Sequence, residues 1–292
     1  MQLATLENDF FSICISAHGA ELHSIYSKKL DKELLWSGYD KVWARHAPVL
    51  FPIVGKLKND SYTFEGKSYS LPQHGFARDM EFKIASNIVS DNFDSVVYEL
   101  DSNETTLEKY PFSFALQIEY KLENEKLHCN YRVKNTGDSE MYFSIGSHPG
   151  FVCPIMEGEQ LSEYTITFEK EEIAKRNLLD GGLFNGIQEE VIVNKKHIPL
   201  SKELFEKDAI VLKGLHSEAL QLHSNNYILN FFWHNMPYFG IWAKKGIEEF
   251  ICLEPWAGLA DSTNASGDIK EKEGIITLSP TKVFECGFGI SV

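Results

Sequence analysis

The chain has 292 residues, 43% hydrophobic and 13% aromatic, enough to bury a sizeable core in one large domain or two small ones. Its net charge is −14, with four arginines (Arg45, Arg78, Arg132, Arg176) against 24 lysines, which argues against the basic patch that a nucleic-acid backbone needs. Five scattered cysteines without a C-x-x-C pair speak against a disulfide frame or zinc knuckle, and the chain shows neither a signal core nor a membrane-length apolar run, so a cytoplasmic protein is expected.

Residues 10–17 alternate Ile13 and Ile15 with Ser12, Cys14 and Ser16. His18-Gly19 punctuates, and residues 20–27 read as a second strand, so the spacing predicts a hairpin. Residues 33–36 form a short third piece. Residues 42–58 are apolar but irregular, broken by Pro48 and Pro52. A hairpin is expected over 62–71, turning at Glu65-Gly66-Lys67. Residues 81–89 should pair with 95–100 across 90–94. Thr105-Thr106-Leu107-Glu108 matches a capping box and predicts one helical turn before Pro111. Residues 112–121 and 126–134 form the clearest hairpin. A strand over 141–145 should then stop at Gly146-Ser147-His148-Pro149-Gly150. Further strands are expected at 164–169, 190–193, 209–212, 219–222, 227–232, 239–243, 250–253, 275–278 and 283–290, with a short helix at 201–207. Strands recurring every ~8–12 residues predict an all-β fold, a large two-sheet antiparallel β-sandwich, as a single domain over 1–292.

Four polar groups stand at expected strand ends: His74, His148, Asp208 and Glu254. Proline disfavours helical backbone in the residue before it, so Pro149 and Pro255 hold His148 and Glu254 extended. Glu254 follows the apolar run Phe250-Ile251-Cys252-Leu253, where an unpaired carboxylate is costly. The competing readings are a satisfied loop histidine for His74, a solvated acid for Asp208 and a structural ion pair for Glu254. His74, His148 and Glu254 are of zinc-ligand type, yet no H-E-x-x-H spacing supports a metal, and none is expected. Trp233 and Trp242 read as core. Trp256, beside Pro255, is assigned to a ligand pocket.

The segments Pro48-Val49-Leu50-Phe51-Pro52-Ile53-Val54-Gly55-Lys56, Leu71-Pro72-Gln73-His74-Gly75-Phe76-Ala77-Arg78, Ser147-His148-Pro149-Gly150-Phe151 and Leu253-Glu254-Pro255-Trp256 resemble the aldose 1-epimerase (galactose mutarotase-like) superfamily, nearest its LacX-type branch. The likeness runs from about residue 10 to 290 in motif order. It implies a mutarotase-type β-sandwich, interconversion of the α and β anomers of an aldose, a small-molecule sugar as partner and no cofactor. By position it implies His148 as general acid, Glu254 as general base, His74 as a second histidine at the ring oxygen and Asp208 on sugar hydroxyls. The chain departs from galactose mutarotases at Gly55-Lys56-Leu57-Lys58, where they carry glycine-arginine and an Ala-Asn-Arg run. Residues 71–78 instead resemble the hexose-6-phosphate 1-epimerase branch, which makes Arg78 and Arg45 candidates for holding a sugar phosphate. A non-catalytic carbohydrate-binding module is the remaining alternative.

The chemistry asks for such a pair. Opening a pyranose removes a proton from the C1 hydroxyl and gives one to the ring oxygen. Both oxygens sit on one carbon, so acid and base must converge. The expected starting state is ionised Glu254 beside protonated His148.

Overall fold

Period-two alternation builds most of the molecule. The Phe114–Glu123 strand buries Phe114, Leu116, Ile118, Tyr120 and Leu122 and leaves the residues between them half-exposed. It pairs antiparallel with Lys126–Asn135 along its length, the hairpin expected there. In the computed structural model, which describes residues 3–90 and 92–292, that hairpin lies within a nine-stranded sheet. The sheet runs from His197–Pro199 at one edge to Lys83–Val89 at the other. The second large sheet has eight strands. Its path is Leu183–Glu189, Arg176–Asp180, Ile210–Lys213, Tyr238–Trp242, Phe250–Ala257, Ile145–Ser147 and Val49–Leu50, with Gly150–Val152 also on Phe250–Ala257. Phe231 of the first sheet packs edge-on against Phe239 and Phe151 of the second, so the two are stacked face to face over a common core. The fold is an all-β antiparallel sandwich.

It carries more than two sheets. Leu3–Glu7, Phe11–Ser16, Leu22–Ser27 and Lys32–Glu33 form a four-stranded sheet, and Met141–Phe143 with Ile276–Leu278 and Ser61–Phe64 with Lys67–Ser70 form two ribbons. The ribbon turn has Glu65 and Gly66 both at positive φ, the demand of a tight hairpin. Several expectations are corrected. The strand foreseen at 190–193 is replaced by a hairpin of Arg176–Asp180 and Leu183–Glu189, turning at Gly181 and Gly182 with φ 57° and 86°. The helix Glu104–Lys109 is capped by Asn103, whose side chain accepts from the Thr106 N–H, two residues before the expected box. Residues 201–207 yield only a 3-10 turn, Lys202–Phe205. The turn expected at 90–94 includes Asp91, which lies outside the described residues. No helix among the described residues is long and apolar enough to cross a membrane.

Two corrections bear on the site. The strand at 141–145 breaks at Ser144, whose N–H donates to Pro52 O, and its halves join different sheets. The other concerns Glu254. It does not end a strand: Phe250–Ala257 is continuous and every residue in it is buried. Ile251, Leu253 and Ala257 face the common core. Cys252 and Trp256 face away from it, in small apolar clusters on the sheet's other side. Glu254 shares their side by alternation.

Candidate active site

Register brings His148 and Glu254 together. Gly146 pairs with Trp256 and Gly150 with Cys252, so one register spans the interruption and sets His148 opposite Glu254. The ladder lapses where Pro149 and Pro255 have no N–H to donate, leaving two side chains to meet across the gap. His148 Nε2 lies 3.2 Å from Glu254 Oε2, with the side chains 12% and 2% exposed. On the other flank Glu254 faces Gly240. Gly240 and Gly146 make a seat for Trp256: a Cβ at Gly240 would fall 2.5 Å from Trp256 Cη2 and Cζ2, and one at Gly146 2.6 Å from Cδ1. The indole therefore lies flat over two neighbouring strands.

Burial sets the charges. It pushes the Glu254 carboxyl well up, and the charge of Asp208 adds to this; the Trp256 indole N–H, beside the carboxylate but outside hydrogen-bonding geometry, pulls the other way. Burial pushes the His148 imidazole down, with Arg78 and Arg45 adding to it. Two such groups in contact titrate as a unit. The unit holds one proton near neutrality, and burial favours keeping it on the carboxyl beside a neutral ring. That reverses the expected resting state of ionised Glu254 and protonated His148.

A cavity of about 360 Å³ opens over the pair, and His74, Arg78, Asp208 and Trp256 also line it. His74 sits at positive φ in a turn closed by Gly75, whose own φ is 71° and whose Cβ would strike Phe51 O at 2.3 Å. Its Nδ1 accepts from the Gly55 N–H at 3.1 Å, and its own N–H donates to Gly55 O. Burial, then His148, Arg78 and Arg45, drives the His74 imidazole well down. His74 is therefore neutral, with its hydrogen on Nε2. Arg78 Nη2 donates to Gln73 O at 2.7 Å, while Nε is buried without a hydrogen-bond partner among the described residues. Arg45 is not among the lining residues: its Nη2 is 2.7 Å from Asp79 Oδ1. Asp208 lines the cavity; its Oδ1 accepts from the Ala209 N–H and its backbone carbonyl from Arg176. Lys56 reaches Gly181 O at 3.3 Å and does not line the cavity.

A family model described as aldose 1-epimerase matches residues 2–280. The chain belongs to the aldose 1-epimerase family. Protein LacX (chromosomal) of Lactococcus lactis subsp. lactis is 28% identical over 98% of both chains. A galactose mutarotase related enzyme from Lactobacillus acidophilus is similar in structure at TM-score 0.93, with 35% identity over 99% of this chain and 97% of that one. A galactose mutarotase-like protein from Lactobacillus casei follows at TM-score 0.90 and 30% identity over 99% of both chains. Aldose 1-epimerases are sugar isomerases, and a sugar-sized cavity over a buried carboxylate–imidazole pair suits that class.

In this member of the family sequence reasoning missed an aromatic wall. Trp43 lies with its ring centroid 5.0 Å from that of His148, and Trp242 at 5.7 Å. Trp242, expected in the core, lines the cavity; only Trp233 packs there as expected. A signal existed, since Trp242 is two residues beyond Gly240 and so on the Glu254 side of the sheet. For Trp43, in an irregular loop, no period was available. Asp79, which neutralises Arg45, was also missed, although it directly follows Arg78.

Proposed function

We propose that the protein interconverts the α and β anomers of an unphosphorylated aldohexose, with Glu254 as general base and His148 as general acid. The observation that carries this is the 3.2 Å contact between Nε2 and Oε2 at the floor of a cavity in the size range of small-molecule sites. Glu254 takes the C1 hydroxyl proton while His148 Nε2 gives its own to the ring oxygen. The C1–O5 bond breaks, its electron pair stays on O5, and C1 becomes the aldehyde. The pair is left as neutral acid and neutral imidazole, the state that burial favours. The shared proton must therefore first pass from Glu254 to His148 across their 3.2 Å contact, and ring opening returns the pair to its resting state. Rotation about C1–C2 presents the other aldehyde face, and the same transfers run backwards. His74, neutral, offers Nε2–H on the ring-oxygen side. Asp208 and Arg78 serve the hydroxyls, and Trp256 offers an apolar face. Each positioned group contributes on the order of 10²–10⁴-fold.

Free sugar is preferred over a 6-phosphate because Asp79 holds Arg45 away from the lining, leaving Arg78 as the one guanidinium among the described lining residues to meet a dianion. The test is anomer exchange by NMR on free and phosphorylated hexoses. Glu254→Gln and His148→Asn should each lose about 10²–10⁴-fold in rate while still binding sugar, as read by tryptophan fluorescence. Wild-type rates in both variants would discard the mechanism. Sugar binding without exchange in the unaltered protein would make it a binding module, and a preference for the 6-phosphate that Arg78→Ala removes would reinstate the phosphate reading.

A further inference from the structure

One polar group beside the pair has no part in that mechanism. Cys252 stands two residues before Glu254 in the same strand, so both side chains leave the sheet on one side. The Cys252 sulfur, a His148 ring nitrogen and a Glu254 carboxylate oxygen lie within 4.8 Å of one another. Opposite Cys252 is Gly150, which has no side chain; a Cβ there would meet Trp43 Cζ3 at 2.8 Å and Cys252 Sγ at 3.5 Å. The thiol is therefore roofed by an indole and bordered by two groups that bind metals.

We propose that this cluster is a binding site for a thiophilic divalent cation, zinc or cadmium, held by Cys252 Sγ, a ring nitrogen of His148 and a carboxylate oxygen of Glu254, and that the cation shuts off anomer exchange. Nitrogen, sulfur and oxygen are a set that zinc takes tetrahedrally, and zinc's bond lengths put its ligand atoms roughly 3.3–3.8 Å apart. The His148–Glu254 contact already stands at 3.2 Å, so the thiol is the group that must close in. The exchange balances in charge. The cation displaces two protons, the one shared by His148 and Glu254 and the one on the thiol, and leaves carboxylate, thiolate and neutral imidazole around a dication. The buried site is neutral before and after. Of the three ligands, His148 and Glu254 line the cavity and Cys252 does not. A sugar and the metal therefore compete for the same pair.

Metal binding stands apart from the proposed function; only its inhibitory effect rests on that reading. Cadmium is added to the full chain in mildly alkaline buffer and the ultraviolet cadmium–thiolate band is followed. The band should saturate at one equivalent, persist in Cys14→Ser, weaken in His148→Asn and vanish in Cys252→Ser. Equimolar zinc should abolish wild-type exchange, a chelator should restore it, and Cys252→Ser should keep its exchange in zinc. If Cys252→Ser fails to fold, the His148→Asn titration, with the thiol intact, decides. A missing band, or one unchanged in Cys252→Ser or His148→Asn, overturns the site. A chain without exchange activity but with the band loses only the proposed function, and exchange without the band loses only this inference.

Discussion

The seat of Trp256 yields the sharpest prediction. In Gly240→Ala the new Cβ would stand 2.5 Å from Cη2 and Cζ2, where carbon contacts settle at about 3.5–4.0 Å, so the indole must move by about 1 Å. It cannot slide along the sheet, because Gly146 hugs Cδ1 just as closely at the ring's other end. The ring has to lift into the cavity. Such overpacking costs about 1–3 kcal/mol of stability. A displacement of about 1 Å at a substrate-positioning surface costs on the order of 10²-fold in kcat/KM. Thermal unfolding reads the first quantity and NMR anomer exchange the second. Gly240→Ala combined with Trp256→Leu should recover the stability but not the rate. A single variant that melts and exchanges anomers like the wild type would refute the account of the seat.

The pair's proton inventory predicts the pH profile of exchange. His148 takes a second proton only well below its ordinary 6.5, and Glu254 holds the shared one well above its ordinary 4.5, so the rate should stay level as pH falls through 6.5; a half-maximal point at 6.5 on the acid side would contradict this. Stability follows the same linkage with its sign fixed. Above 6.5 the unfolded pair is proton-free while the folded pair keeps one, so stability falls as pH rises toward the raised Glu254 value; Glu254→Gln should flatten that fall in melts taken across the range. Lys272 Nζ and Asp261 Oδ1, 2.7 Å apart and almost wholly buried, form an ion pair beneath the loop that carries Gly55. Lys272→Met should cost about 3–5 kcal/mol in denaturant unfolding, and a loss below about 1 kcal/mol would show that Asp261 does not remain a stranded charge.

How much of this was legible depends on where each residue gets its instructions. Residues 112–134 alternate cleanly and turn at polar residues, so period alone placed their hairpin. The Leu183–Glu189 strand has Asn185 and Gly186 within it and every residue but Phe184 partly or fully exposed, which erased the alternation; the surviving clue was Gly181-Gly182. The strand foreseen over 250–253 stops short of Pro255, which has no N–H to offer a ladder. In the sheet that lack is harmless, because the facing chain is itself interrupted at Pro149. Sequence could suggest that His148 and Glu254 each precede a proline; only pairing between strands a hundred residues apart could set them face to face. Arg45 shows the opposite case. It occupies the expected stretch, yet Asp79 claims its guanidinium, a choice made in three dimensions.

Because the imidazole and the carboxylate are partners in one ladder, the chemistry inherits the all-or-nothing character of strand alignment. A single residue inserted between Gly146 and His148 would turn the ring toward the packed interior. Drift in this protein's specificity is therefore free to accumulate in the loops bearing Trp43 and Arg78, while the segment around Pro149 must keep its length, its two glycines and His148.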